Sequence, residues 1–241
     1  RVLITGSLGY IGSVLVPYLR DHGYECISVD TGFFQDCNLG SLVDGEWIKG
    51  DASDLNKQSL QGVQAVVHLA GISNDPFGDL SPEKVYDPVR RYTRTLAALC
   101  KSQGIQFIFA SSCSIYGKGS TELLTETSTV TPQTPYSVNK FQIEQDLSQM
   151  SGGNFAPICL RFATIFGYSP RIRFDVFVNM MAGMAVSMGK IILNSDGRAW
   201  RPSLHILDAC KAIEAAINFP DSAQAPLILN VGTTSENHRI I

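Results

Sequence analysis

Short β-branched apolar runs alternate along the chain with longer segments whose apolar positions recur every three to four residues. That alternation is the signature of a parallel sheet covered by helices on both faces. Six strands are predicted, at residues 2–5, 26–30, 47–49, 65–69, 107–111 and 157–161. Helices are predicted between them at 10–21, 90–102 and 136–150, with glycines at 23, 104 and 152–153 as their stops. The expected fold class is α/β, a doubly wound parallel sheet of the Rossmann kind. Pro17 falls inside the first helix, where a missing N–H predicts a kink or a loss of stability.

Beyond about Gly167 the alternation loosens. A Met-rich helix is predicted over 174–188, a strand over 191–193, a polar turn at NSDGR and a helix after Asp208. The expected division is therefore a dinucleotide-binding domain over 1–166. Residues 167–241 would form part of a smaller substrate lobe, some of whose elements return to the first domain. Both ends read as cut. The chain starts without Met one residue before a strand, and ENHRII at its end reads as the start of another element.

Composition narrows the partners. A formal net charge of −3 and scattered basic residues give no stripe for nucleic acid, which leaves a small molecule as the default ligand. No apolar run reaches the length of a membrane span, and no signal peptide precedes the first strand, so a cytoplasmic protein without a membrane partner is expected. Six cysteines without a CxxC spacing read as free thiols, mostly core filler, and four scattered histidines predict no metal site.

The first strand runs into TGSLGYIG, which places Gly6, Gly9 and Gly12 at a strand-to-helix turn with Tyr10 and Ile11 between them. Glycines there let the backbone approach a pyrophosphate, whose charge is met by the N–H groups and dipole of the following helix. A glycine triplet alone also describes a flexible turn. Its context is what counts: a strand before it, the Ile11, Leu15, Leu19 stripe after it, and Asp30 ending the second strand. A carboxylate at that place accepts from ribose hydroxyls and repels a 2′-phosphate, which selects NAD over NADP.

TPYSVNK sets Tyr136 and Lys140 four residues apart, one turn apart on a helix face. A phenol is a poor base at neutral pH, and a neighbouring ammonium together with a cationic nicotinamide favours its phenolate. The bland reading is an exposed Tyr and Lys on a helix. The fifth strand, however, ends in FASSCSIYG, which delivers hydroxyls to the carboxyl edge of the sheet where open α/β folds bind ligands.

Taken in order, TGSLGYIG, the VD at Asp30, GDASD, HLAG, SSCSIYG, YSVNK, LRFATIFG and WRPSLHILD resemble the extended short-chain dehydrogenase/reductase superfamily, in its NAD-dependent nucleotide-sugar epimerase/dehydratase branch. The resemblance covers essentially the whole chain. It implies that Asp51 and Ala52 flank the adenine, that Leu69, Ala70 and Gly71 line the cofactor, and that Phe162 lies near the nicotinamide. It also implies a catalytic Ser112 beside Tyr136 and Lys140, a substrate-diphosphate contact at Arg201, and a homodimer joined through the helix bearing Tyr136 and the one before it. Two departures stand out. Pro88 occupies the region where many members open a helix with Asn, and Thr164 replaces the Asn that follows LRYF in 4-epimerases.

The implied reaction is a 4-epimerisation of a nucleotide sugar by transient hydride transfer to tightly bound NAD through a keto-sugar. A 4,6-dehydratase or 4-keto-sugar reductase is the runner-up. The dehydratase ranks lower because Cys113 and Ser114 stand where dehydratases carry Asp and Glu. Cys113, Ser114, Thr164 and Arg201 are then the candidate substrate contacts. A thiol can exchange a proton with carbon where its thiolate is stabilised, yet small filler beside the cofactor is the preferred reading of Cys113. His68 reads as a packed or backbone-bonded residue, His205 as a partner of Asp208, and Met180, Met181, Met184 and Met188 as a packed helix face. A non-catalytic dinucleotide-binding regulatory module is the alternative of another class.

Overall fold

The protein is seen here as a computed structural model that describes residues 1–40, 46–73, 81–117, 123–193, 196–220 and 225–239. Seven parallel strands form the main sheet: β1 (Val2–Thr5), β2 (Cys26–Asp30), β3 (Ile48–Lys49), β4 (Ala65–His68), β5 (Gln106–Ser112), β6 (Ile158–Phe162) and β9 (Leu227–Val231). Their order is β3-β2-β1-β4-β5-β6-β9, so the strand order reverses between β1 and β4. The expected doubly wound α/β sheet is present, with its first six strands displaced from the predicted limits by at most one residue. The seventh, β9, was not anticipated.

Period-two alternation sends the two faces of each strand into separate cores. Val2 and Ile4 of β1, Ile108 of β5 and Ile158, Leu160 and Phe162 of β6 meet α1 (Gly12–Asp21) and α5 (Ile206–Ile217). Leu3, Phe107, Phe109 and Cys159 face the other way, onto α2 (Pro82–Gln103) and α3 (Pro135–Met150). Full burial of such side chains stabilises the fold by about 1.5–3 kcal/mol each. α1 runs through Pro17 without ending.

α2 corrects the sequence expectation. It opens at Pro82, eight residues before the predicted start, and Pro88 lies inside it. Proline at the first helical turn costs no hydrogen bond, and a stripe of Val85, Tyr86, Val89, Thr93, Leu96, Ala97 and Cys100 is buried along the whole length. Packing of that stripe outweighs the interior proline.

The chain leaves the main sheet at Ala163, whose N–H donates to Val231 O at 2.9 Å. It forms a second sheet that the sequence did not reveal, in the order β10-β8-β7, from β7 (Thr164–Phe166), β8 (Arg201–His205) and β10 (Asn237–His238). α4 (Phe177–Met188) follows β7 and buries only Asn179 fully. The methionines at 180, 181 and 184 are half-buried and Met188 is exposed, which corrects the packed-face reading. Residues 191–193 form no strand, and the first two residues of the NSDGR turn lie outside the described residues. All six cysteines are free; Cys100, Cys159 and Cys210 are buried and Cys37 is exposed. No helix among the described residues is long and apolar enough to cross a membrane.

His68 joins three elements at the carboxyl end of β4. Its Nδ1 lies 2.7 Å from Thr5 Oγ1 on β1 and its Nε2 2.9 Å from Thr93 Oγ1 on α2. Thr93 donates its own proton to Val89 O, so the His68 Nε2–H must be the donor to Thr93. His68 is packed against Tyr92, Phe107 and Phe109, as one of the two expected readings had it. Its polar partners are side-chain hydroxyls and not the backbone of the other reading. Burial, with a smaller contribution from the Lys140 charge, lowers the imidazole pKa from 6.5 to about 3. Below pH 6.5 the unfolded chain therefore binds a proton that the folded one refuses. Stability is expected to fall between pH 6.5 and 3 by an extra ~1.4 kcal/mol per pH unit from this group. Urea unfolding from pH 7 to 5 should show that excess slope in the native chain and not in His68→Gln.

Candidate active site

The turn after β1 is built by close backbone approach. Gly6 takes φ +73°, and a Cβ there would lie 2.8 Å from Ala70 N; a Cβ on Gly12 would run into the Gly6 carbonyl and Ser7. Gly6 N–H donates to Val29 O at 2.9 Å, and Gly9 N–H donates to Gly6 O at 3.1 Å. α1 begins at Gly12, and the Tyr10, Ile11 and Gly12 N–H groups that lead into it carry no hydrogen bond among the described residues, whereas Ser13 N–H is bonded to Gly9 O and Leu15 N–H to Ile11 O. Ile11 packs against the core beneath it. Tyr10 points inward: its hydroxyl donates to Gly167 O at 2.9 Å and accepts from Asn179 Nδ2 at 3.1 Å, which leaves its backbone to the turn.

Asp30, at the end of β2, shapes the same turn. One carboxylate oxygen accepts from Leu8 N–H at 3.0 Å and the other from Gly32 N–H at 2.9 Å. Asp51 caps a single helical turn, accepting from Ser53 N–H at 2.8 Å, and Ala52 is buried behind it. Across the groove, Leu69 N–H donates to Thr5 O and Ala70 N–H to Thr5 Oγ1, which fixes the segment that leads from β4 to Gly71. Tyr92 bridges these two walls. Its hydroxyl donates to Ala70 O at 3.4 Å, and burial and the nearby Asp51 charge both raise its pKa. Sequence reasoning missed Tyr92: residue 92 lay inside the predicted helix, but nothing local showed that its ring reaches Ala70 on the other wall.

A dinucleotide fits these residues. The two glycines clear a cradle that any Cβ would fill, an anion-binding helix start opens on it, and the Ser7 hydroxyl is buried without a hydrogen-bond partner among the described residues. Phe162 ends β6 in register with Ser112 of β5, at the floor of the same edge.

Tyr136 and Lys140 enter from α3. Thr134 caps this helix in a reciprocal box with Ser137, and Pro135 fixes the first turn, so Tyr136 is held at the second helical position. Asn139 Nδ2 donates to Tyr86 O at 3.0 Å and ties α3 to α2. Lys140 Nζ donates to Ala110 O at 2.7 Å and stands 4.5 Å above the Phe109 ring and 5.7 Å from the Tyr136 ring. Burial pushes the Tyr136 phenol up to about 12, against the opposing influence of the neighbouring Ser112 hydroxyl and of the Arg173 charge. Burial likewise lowers Lys140 to about 8 against the opposing pull of Glu144.

The second sheet supplies the far wall. Thr164 pairs with Ser203, two residues from Arg201, which is exposed at the start of β8 and acts electrostatically on Cys113. Cys113 and Ser114 follow Ser112 in a short helical turn, and the Ser114 hydroxyl is buried without a partner among the described residues. Burial pushes the Cys113 thiol up to about 11, so a thiolate is disfavoured there. Arg173 is the second residue the sequence reading missed. Its guanidinium bonds Ser73 and Asp175 and faces Tyr136 and Tyr10, and its only sequence signal was a pair of arginines in SPRIRFD. His205 caps α5 by accepting from Leu207 N–H, whereas Asp208 pairs with Lys211, which corrects the expected His205–Asp208 partnership.

A glycine turn, a carboxylate ending β2 and an open carboxyl edge at the strand reversal together define a dinucleotide-dependent enzyme of the doubly wound class. The chain belongs to the NAD dependent epimerase/dehydratase family, which it matches over residues 2–232. It is 29% identical over 235 residues to a protein of Bacillus subtilis named as an uncharacterized UDP-glucose epimerase, covering 91% of this chain and 73% of the relative. Among solved structures it resembles MoeE5 in complex with UDP-glucuronic acid and NAD, at a TM-score of 0.83 and 27% identity over 99% of this chain and 78% of that one. It also resembles a UDP-glucuronic acid 4-epimerase of Bacillus cereus, with a TM-score of 0.82 and 25% identity over 99% of this chain and 79% of that one.

The packing at the glycine turn makes a direct prediction. Gly12→Ala should weaken NAD binding at least about a hundredfold, equivalent to ~2.7 kcal/mol. Calorimetric titration of NAD into the folded variant measures it, and binding within threefold of the native chain would contradict the cradle.

Proposed function

We propose that this chain is an NAD-dependent nucleotide-sugar 4-epimerase acting on a UDP-hexose, with Tyr136, Ser112 and Lys140 as its catalytic residues. The observation that carries the reading is the meeting of these three at the carboxyl edge, Ser112 on β5 beside Tyr136 on α3 with the Lys140 ammonium beneath. The UDP-sugar relatives support the substrate class. Intact acid–base machinery speaks for an enzyme over a regulatory binding module.

In this reading Tyr136, as a phenolate stabilised by Lys140, takes the proton of the sugar 4-hydroxyl and becomes a neutral phenol, with Ser112 bonded to the same sugar oxygen. NAD, when bound, accepts the hydride from the sugar carbon and returns it to the opposite face. The cofactor groove runs from Asp30, Asp51 and Ala52 over Gly6, Gly9, Tyr10, Ile11 and Gly12 to Leu69, Ala70, Gly71 and Phe162. Cys113, Ser114, Thr164 and Arg201 face the sugar and diphosphate. Cys113 and Ser114 lack the carboxylates of a 4,6-dehydratase, and the raised Cys113 thiol fits a filler better than a proton carrier. Residues 1–166 form the NAD-binding part and 167–241 contribute to the substrate lobe, with β9 and α5 packed into the main layer. The enzyme works as a cytoplasmic homodimer joined through the outer faces of α2 and α3.

A panel of UDP-sugars incubated with protein and NAD should give the 4-epimer without net accumulation of reduced cofactor. Reduced cofactor building up in step with product would indicate a dehydrogenase instead. Tyr136→Phe is expected to lower kcat by about 10²–10⁴ with the cofactor still bound. Undiminished turnover in that variant would remove the mechanism. The rate should also fall as pH rises through the Lys140 value of about 8, because the ammonium that stabilises the phenolate is then lost.

A further inference from the structure

Directly behind the proposed catalytic pair lies a buried ionic cluster that none of the chemistry above uses. Glu144 stands one helical turn beyond Lys140 on α3 and is 1% exposed; Arg161, on β6, is 4% exposed. Arg161 Nη2 donates to Glu144 Oε2 at 2.7 Å and its Nε to Oε1 at 3.1 Å, a forked pairing. Ser111, the β5 residue in register with Arg161, donates its hydroxyl to the same Oε1. The remaining Arg161 nitrogen donates to Tyr116 Oη at 2.7 Å, and that phenol donates to Asn230 Oδ1 of β9 at 2.7 Å.

An interior ion pair is an unfavourable way to fill space, since apolar side chains of similar volume often stabilise as well or better. Its placement is informative. Four titratable groups lie about Lys140: Tyr136 and Glu144 from α3, Cys159 from β6 and His68 from β4, while Arg161 of β6 faces Glu144 and Cys159. His68 stays neutral near pH 7 and burial raises the Cys159 thiol, so neither carries charge there. Tyr136 is the reacting phenol. Glu144 is thus the one standing negative charge among the four, and it is the group that most opposes the burial of the Lys140 ammonium.

We propose that Glu144, clamped by Arg161 and Ser111, is a positioning residue that keeps Lys140 charged and aimed at Tyr136 during the reaction. Arg161 holds the carboxylate in place and tempers its field; Ser111 ties the cluster to the strand that carries Ser112. The proposal rests on the catalytic assignment of Tyr136 and Lys140 above.

A plain structural brace and an electrostatic positioner respond differently to removal of each partner. Loss of either residue destabilises a brace in the same sense. An electrostatic partner gives opposite signs: Glu144→Gln removes the anion and should lower the Lys140 titration midpoint by about one unit or more, whereas Arg161→Gln removes the opposing cation and should raise it. The midpoint is read in the apo protein by the pH dependence of Lys140 labelling with trace acetic anhydride, followed by mass spectrometry of its peptide. The same shifts should appear in the alkaline limb of kcat of the holoenzyme, with KM for the nucleotide sugar changed less than about threefold. Combining the two substitutions should bring the midpoint back toward the native value.

Ser111→Ala deletes one oxygen and leaves both charges, and it guards against misfolding of the other variants. A carboxylate relieved of that donor acts more strongly on the ammonium, so the midpoint should rise. Midpoints that stay fixed, or that move the same way in Glu144→Gln and Arg161→Gln, overturn the proposal. If the native protein turns over no nucleotide sugar, the epimerase reading fails by itself while the labelling midpoints still decide the electrostatic coupling.

Discussion

The approach of backbone to backbone at Gly6 and Gly12 is the constraint on which the remainder of the architecture depends. With the Gly6 carbonyl filling the space where a Gly12 side chain would stand, α1 can start hard against β1, and β1 can sit against the end of β4 at Ala70. Asp30 then serves the turn from a third strand through Leu8. Tyr10 carries the same rigidity outward, since its hydroxyl reaches Gly167, where the chain has entered the second sheet. The glycine turn and the start of the second sheet are thereby held to one short segment of eight residues, TGSLGYIG.

Buried polar groups do the joining along the same carboxyl edge of the sheet, and magnitudes separate their roles. The Thr5–His68–Thr93 chain is neutral and fully partnered, a set of bonds worth about 1 kcal/mol each that binds β1, β4 and α2. The Glu144–Arg161 pair is different in scale, because removing one partner of a buried ion pair costs about 3–5 kcal/mol. The surface pair Lys211–Asp208 contributes at most ~1 kcal/mol. The strongest polar couplings of the molecule therefore gather beneath the face that carries Tyr136 and Lys140.

How much of this could be read in the sequence follows from the range over which each signal acts. Strands β1, β2 and β4 to β6 announced themselves because each is an apolar run of at least four residues closed by a local stop, and the glycine turn and YSVNK are complete within eight residues. The second sheet did not, because three-residue β7 and two-residue β10 are defined only by partners far along the chain. β9 shows an apolar run, but its place beside β6 is a tertiary fact. The early start of α2 was masked by Pro88, whose local penalty is overcome by a buried stripe that sequence periodicity alone does not weigh. Tyr92 lay inside the predicted helix and Arg173 lies in a loop, and neither carries a local signal that it reaches the groove, which is why both were missed as neighbours of the site. The sequence motifs named Tyr136, Lys140 and Ser112, yet gave no hint that Glu144 and Arg161 meet behind them.

The position of β9 has a consequence for synthesis. Six strands of the main sheet are in hand once residue 162 has emerged, but the outer edge of β6 finds its partner only at residues 227–231. At about 5–20 residues per second, translation of the intervening stretch takes several seconds. During that interval β6 is an unpaired strand edge, of the kind that invites pairing with a neighbouring chain. Asn230 is the last contributor to the Tyr116–Arg161 network, so the residue that seals the buried cluster arrives with the strand that closes the sheet. Nascent chains released before that point would display a sticky edge, and chaperone shelter would matter most for this narrow window of elongation.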